Sequence, residues 1–448
     1  MHRSTPHPLA LAIFAGLLQV PAQAALYDVD PGPYLPENGH FAAWYQDTHG
    51  RVLDLCLSKA VSSRAPGAPG APSYMCTLLP TPGVFDDADP IQFPQNFPDE
   101  AFWFTADASI VDAARGIDLD FGTAIEAAFN VEEPIDGDQI SFARVRIRVD
   151  VPVAGTYVIT HPYGVDVFDV PAAGDRAINM TRDIGIGSPK TYQGALKGDV
   201  GPFLRSVNGP YTETNPATGA SERYIGDPNL TEPVTGSPFN TNYVRIEGPN
   251  GIDLRTELFS ISGKLSDVVR PTPLIPLRST YSRHTENGDL RAQQDVFVMA
   301  PPAPATVSLV SQTPNLALTE ANSTGAWYAQ SALNPSLPAY LQVTADNHLA
   351  IPSSAPTSAS LHLTDLVTIT RAEYSLASGQ LTLVATTSDE VSPPTLSAST
   401  GNGAVIGSLG GEGALKTLTT GLSPIPPATV RVTSANGGSD SEDVVLVP

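Results

Sequence analysis

Between Ile117 and Phe129 the apolar side chains fall on odd positions (Ile117, Leu119, Phe121, Ile125, Ala127, Phe129). The even positions include Asp118, Asp120 and Glu126. Alternation sustained over this length predicts a β-strand with one buried face. A second such run follows, with Val145, Ile147, Val149, Val151 and Val153 interleaved with Arg144, Arg146, Arg148 and Asp150. The segment from Glu132 to Asp138 between them is rich in turn-forming residues. The two runs are expected to pair as an antiparallel hairpin, with Asp118, Asp120 and Glu126 across from the three arginines. Opposite-charge pairs of this kind contribute about 0.2–1 kcal/mol each and fix register more than stability. A self-neutralised, solvated strand face is the preferred reading, and an anion-binding arginine stripe is the alternative.

Shorter alternating runs recur at 155–160, 165–170, 243–247 and 258–261, while 171–238 reads as long loops around a few strands. The last third carries a repeat from Tyr281 to Asn347 and again from Tyr374 to Asn436. Each copy opens with Tyr-Ser, followed by Gly-x-Leu at Gly288 or Gly379. Thr-apolar-Ser follows at Thr306 or Thr395, and x-apolar-x-Val-Thr closes each copy at Thr344 or Thr433. Two cysteine-free copies built of short strands point to tandem immunoglobulin-like or fibronectin-III-like sandwiches. The chain is therefore expected to be all-β, an amino-terminal jelly-roll-like β-sandwich region followed by two Ig-like β-sandwich domains. The expected boundaries are a leader at 1–24, a sandwich with one disulfide at 25–170 and a loop-rich β region at 171–265, either a second domain or an extension of the first. Ig-like units at 266–350 and 359–448 follow, joined by a polar, proline-containing linker at 351–358.

Composition places this architecture outside the cytoplasm. Arg3, an apolar run from Leu9 to Val20 and the small residues ending at Ala24 have the layout of a cleavable signal peptide. The run is too short to span a bilayer, so no membrane insertion is expected, and the predicted location is secreted, in the periplasm or the extracellular space. Cys56 and Cys76 are the only cysteines and are expected to form a disulfide closing the Ala/Pro/Gly-rich loop from Arg64 to Pro72. A net charge of −22 argues against a nucleic-acid partner, which requires a basic footprint.

Candidate chemistry is sparse. The chain has no G-x-S-x-G, S-x-x-K, H-E-x-x-H or P-loop pattern. No catalytic residue and no cofactor is assigned, although the aspartate-rich turns offer oxygen donors for a structural calcium ion at Asp28, Asp30, Asp86, Asp87 and Asp89. His40 and His49 with Asp47 form the nearest approach to a transition-metal set. Trp44, Tyr45, Phe102 and Trp103 are candidate ligand-binding aromatics, against the alternative that they fill a core.

The chain also resembles a group of uncharacterised secreted bacterial multidomain β-rich proteins with Ig-like or fibronectin-III-like carboxy-terminal repeats. The resemblance rests on Phe97-Pro98-Asp99-Glu100-Ala101-Phe102-Trp103-Phe104, on Gly137-Asp138-Gln139-Ile140-Ser141-Phe142 with the arginine strand, and on His161-Pro162-Tyr163-Gly164. Thr235-Gly236-Ser237-Pro238-Phe239-Asn240 and Glu247-Gly248-Pro249 complete it. It covers roughly the first 260 residues, implies export and a β-rich build, and transfers no activity. The expected role is an exported, non-catalytic binding or adhesion protein for a glycan or protein ligand, with Ig-like spacers. A secreted polymer hydrolase, with Asp99, Glu100 or Asp107 meeting His161 in a cleft, and a structural surface or matrix component are the alternatives.

Overall fold

The computed structural model describes residues 25–68, 70–310, 315–333, 337–422 and 425–448. The expected signal peptide lies outside the described residues, as does Pro69 of the disulfide loop. Strands make up 53% of the residues and helix 2%, the latter confined to short 3-10 turns such as Pro36–Asn38. No described helix is long and apolar enough to cross a membrane.

The first strands are β1 (Leu26–Val29), β2 (Trp44–Asp47), β3 (Val52–Asp54), β4 (Glu100–Asp112), β5 (Ile117–Phe129), β6 (Gln139–Val151), β7 (Gly155–His161), β8 (Gly164–Val170) and β9 (Gly174–Ile184). β5 and β6 pair antiparallel as their alternation predicts, with Asp120 opposite Arg148, Gly122 opposite Arg146 and Ala124 opposite Arg144. They form the middle of a seven-stranded sheet ordered Arg205–Ser206, Glu232–Thr235, Leu258–Ser262, β4, β5, β6, β9. A bulge between Phe102 and Phe104 lets the consecutive Trp103 and Phe104 both enter the core.

Two smaller sheets cover the apolar face of this large sheet. One contains β1, β2 and β3, and its Tyr45 packs edge-on against Trp103 with ring centroids 4.8 Å apart. The other contains β7, β8 and Val244–Gly248, and its His161 packs on Phe121 at 5.1 Å. One hydrophobic cluster runs from Leu26 to Ile261 and includes Tyr192, Phe203, Val234 and Phe259, so the described strands of 171–265 share the core of the segment before them. Cys56 and Cys76 are bonded to each other. Within the loop they close, Val61 bridges Tyr74 and Ala68 bridges Ala71, which turns the expected loose excursion into a narrow hairpin.

The last third forms two sandwiches with separate cores, one from Leu274 to Leu363 and one from Val367 to Val432. Tyr281 and Tyr374 lie on their first long strands, Ile275–Glu286 and Val367–Ser375, while Val343 and Val432 are fully buried on Tyr340–Asp346 and Thr429–Ser434. The expected linker at 351–358 is corrected. Ser354–Ala355 pairs with Arg270–Pro271, and Thr357–His362 is an edge strand of the first sandwich, paired along Tyr340–Asp346. Its serines and threonines misled because an edge strand keeps one polar side, and Pro352 and Pro356 sit just outside the paired positions.

Candidate functional site on the polar face of the large sheet

The face of the seven-stranded sheet turned away from the core is built by the even positions of β5 and their neighbours. Asp107 lies beside Gly122 and Ser260, Asp120 beside Ser109 and Arg148, and Glu126 beside Phe102 and Phe142. These side chains line a trough of about 470 Å³ that includes Asp107, Asp120, Arg146, Arg148 and Ser260. A depression of about 190 Å³ continues it past Glu100, Phe102, Thr105, Glu126 and Arg144, and Asp107, Gly122 and Arg146 border both. Gly122 makes room here, because a Cβ at that position would stand 2.9 Å from Oδ1 of Asp107.

The three arginines are not equivalent. Arg144 is held by Glu126 at 2.9 Å and by Asp183 at 2.8 Å, and it lies 4.8 Å above the ring of Phe142. Arg146 and Arg148 make no ion pair among the described residues, and both have a buried Nε without a hydrogen-bond partner. The self-neutralised face expected from the sequence therefore holds for Arg144 alone. Register accounts for Arg146, which faces Gly122, and sets Asp118 across from Asp150 where an arginine was expected; Asp120 does stand across from Arg148, but the two make no ion pair among the described residues.

Burial also acts on the carboxylates. Asp107 is exposed as a residue, but the sheet packed around its carboxyl group raises it to about 6, opposed by Arg146 and helped by the charge of Asp120. Burial pushes Glu126 up to about 8 against the pull of Arg144. Arg146 is lowered by burial and by the like charges of Arg144 and Arg148. The trough therefore presents guanidinium donors short of anionic acceptors beside carboxyl groups that can hold a proton near neutrality, a mixture suited to hydroxyl and acid groups of an elongated ligand.

The sequence-predicted site residues are mostly elsewhere. Tyr45 and Trp103 are fully buried; the Tyr45 hydroxyl donates to the Tyr192 carbonyl at 2.7 Å and the Trp103 indole N–H donates to the Ala42 carbonyl at 3.1 Å. Trp44 is buried beneath the guanidinium of Arg270, 4.3 Å from its ring centre. None of these three presents an exposed platform: Tyr45 and Trp103 are turned into the core, and Arg270 covers Trp44 on the opposite face of its strand. Phe102, 8% exposed, reaches the end of the trough.

The candidate metal ligands do not converge, and among the described residues no group of three or more His, Cys, Asp or Glu is placed to hold a metal ion. Asp28 pairs with Arg270, Asp30 accepts the amides of Gly32 and Ala43, and Asp86 accepts the amide of Ala88. Asp87 and Asp89 contribute backbone carbonyls to Lys59. Asp47 is bound by the amides of Arg51 at 2.8 Å and Phe203 at 2.9 Å, while His40 approaches the Tyr34 carbonyl at 3.0 Å. The hydrolase constellation is also not assembled. Glu100 and Asp107 border the trough, Asp99 accepts a hydrogen bond from Thr81, and His161 is buried on the other side of the sheet, 3.1 Å from Asp166.

No family model matches the chain, and no curated protein matches it. Among solved structures it is similar to the teleost fish polymeric Ig receptor ectodomain, at 9% identity over 38% of this chain and 98% of that one, with a TM-score of 0.20. It is similar to a chimeric titin Z1Z2-Z1Z2 tandem, at 13% identity over 39% of this chain and 100% of that one, with a TM-score of 0.18. It is also similar to SGBP-B of a Bacteroides ovatus mixed-linkage glucan utilization locus in complex with a mixed-linkage heptasaccharide, at 11% identity over 46% and 52% of the two chains and a TM-score of 0.17. Scores of this size carry no argument about what this chain binds.

Proposed function

We propose that this chain is an exported, non-catalytic binding protein whose amino-terminal domain takes an acidic glycan along the polar trough, and whose carboxy-terminal sandwiches act as spacers. The observation that carries the reading is the pair Arg146 and Arg148, two guanidinium groups on a sheet face that make no ion pair among the described residues and each keep a buried Nε without a hydrogen-bond partner. A bidentate carboxylate or sulfate would satisfy both the charge and the hydrogen bonds they leave open. Serine, aspartate and glutamate around them supply partners for sugar hydroxyls. The decisive test is binding of purified residues 25–448 to matched neutral, uronic-acid and sulfated oligosaccharides. Acidic chains bind, and Arg146→Gln with Arg148→Gln lowers affinity by about tenfold or more. Equal binding of neutral and acidic chains, unaffected by the double substitution, would falsify the reading.

A hydrolase is favoured by one observation, the elevation of Asp107 to about 6 next to Asp120. Sugar release by the wild-type chain that Asp107→Asn abolishes would replace binding by catalysis.

A further inference from the structure

A second set of arginines lies at the opposite end of the amino-terminal domain, where it meets the first sandwich. Arg51, at the start of β3, Arg205 and Arg223 line a cavity of about 320 Å³ whose far wall is Ile351 and its neighbours in the first sandwich. The two domains are joined beside it: Gln46 donates to the Pro271 carbonyl at 3.1 Å, and Asn347 donates to the His49 carbonyl at 3.2 Å. The cavity therefore sits within a hydrogen-bonded junction.

Its charges do not cancel. Arg223 is paired with Asp267 at 2.6 Å, but the half-buried side chains of Arg51 and Arg205 make no hydrogen bond and no ion pair among the described residues. The acid beside them is Asp47, whose oxygens accept the Arg51 and Phe203 amides and whose single charge acts on both guanidinium groups. Burial lowers Arg51, and burial with the charge of Arg51 lowers Arg205 to about 10, in both cases against the pull of Asp47. His49, on the other side of the same turn, is pushed down to about 3 by burial and by these two arginines, so it adds no charge. In a chain with 46 acidic side chains, two guanidinium groups that line one cavity and share a single neighbouring carboxylate are suited to hold an external anion.

We propose that this junction cavity is a binding site for a small organic oxyanion, with Arg51 and Arg205 gripping its carboxylate or phosphoryl oxygens and Ile351 closing over its apolar part. Bound there, the ligand touches both domains and holds the junction. The site is separate from the sheet-face trough and does not depend on it.

The probes are citrate, inorganic phosphate and phenyl phosphate, titrated calorimetrically into residues 25–448 at constant ionic strength. Saturable one-site binding is expected, weakened about tenfold or more by Arg51→Gln or Arg205→Gln, and unchanged by Arg146→Gln in the trough. Binding of citrate alone assigns a carboxylate ligand, and binding of the phosphates alone a phosphoryl ligand. Ile351→Trp fills the cavity from the first sandwich without altering an arginine and should abolish binding while the circular dichroism stays that of the wild type. This variant decides the matter where an arginine variant fails to fold. The proposal is overturned where none of the three anions binds saturably, or where Arg51→Gln and Ile351→Trp both bind as the wild type does.

Discussion

At the junction of the two carboxy-terminal sandwiches and on the polar face of the large sheet, arginines lie against strands partly withdrawn from water, yet their surroundings are opposite. Arg283 meets Asp389, which is fully buried, through Nε at 2.9 Å; the Tyr281 hydroxyl donates to the same carboxylate at 3.0 Å and the Ser392 amide at 2.9 Å. Asn436 completes the network by donating to the Tyr281 oxygen at 2.9 Å. Backbone hydrogen bonds run alongside, from the Arg283 amide to Ser388 and from the Glu390 amide to Arg283. Arg146 and Arg148 make no ion pair among the described residues, and each keeps a buried Nε without a hydrogen-bond partner. A guanidinium with its partners in place fastens two domains, whereas one without them weakens the fold and remains free for a ligand.

The largest effect should come from breaking the satisfied network. Asp389→Ala leaves Arg283 and Tyr281 facing a cavity and is expected to cost about 3 kcal/mol. Urea denaturation resolved by domain, together with small-angle scattering for the angle between the sandwiches, measures it. A loss below about 1 kcal/mol would mean that the backbone bonds hold the junction alone.

The two regions should also respond to pH with opposite signs. Against burial, Arg283 and the Ser392 amide hold Asp389 below the usual carboxylate value, so its contribution is present above about pH 3.8 and is lost as pH falls through its folded value. Glu126 is raised to about 8 from 4.5. Its folded form keeps a proton that the unfolded chain has released, so its contribution is complete below pH 4.5 and declines as pH rises towards 8. Glu126→Gln carries no such proton, and its melting temperature should fall less than the wild type's between pH 5 and 8. Parallel melting profiles of the two proteins would show that Arg144 keeps Glu126 ionised throughout.

A smaller change tests the shape of the trough. The added methyl of Gly122→Ala would stand 2.9 Å from the Asp107 carboxylate and must displace it. The expected cost is about 1 kcal/mol, since the carboxylate can swing outward, with weaker binding of acidic glycans as the trough narrows. Unchanged affinity would remove Asp107 and its neighbours from the binding surface.

Periodicity made the strands legible, and it also obscured the site. The alternation at 117–129 and 145–151 is a direct consequence of one buried sheet face, and the pairing of β5 with β6 follows from it. The sequence cannot show which residue of one strand stands opposite which of the other, and a two-residue difference in that register decides whether Arg146 faces an aspartate or Gly122. Trp44, Tyr45 and Trp103 stood out because aromatic clusters suggest binding platforms, but the bulge at Phe102 that turns Trp103 and Phe104 inward together has no sequence marker. The Asp389 network joins residues 106 positions apart and the arginine cavity joins Arg51 to Ile351, so neither appears in any local pattern.

The smallest expected change in stability is the most informative for the comparison. Arg146→Gln removes a charge repelled by Arg144 and Arg148 and relieves a buried Nε that has no partner, while depriving Asp107 of a counter-charge. These terms oppose one another, and the net effect on folding should lie within about 0.5 kcal/mol of zero, with a gain as reasonable an outcome as a loss. The same variant should bind acidic glycans markedly less well, separating function from stability at one residue. If it instead destabilised the chain as much as Asp389→Ala, Arg146 would be a structural group satisfied in solution, and the distinction between fastening arginines and binding arginines would fail at the residue on which it depends.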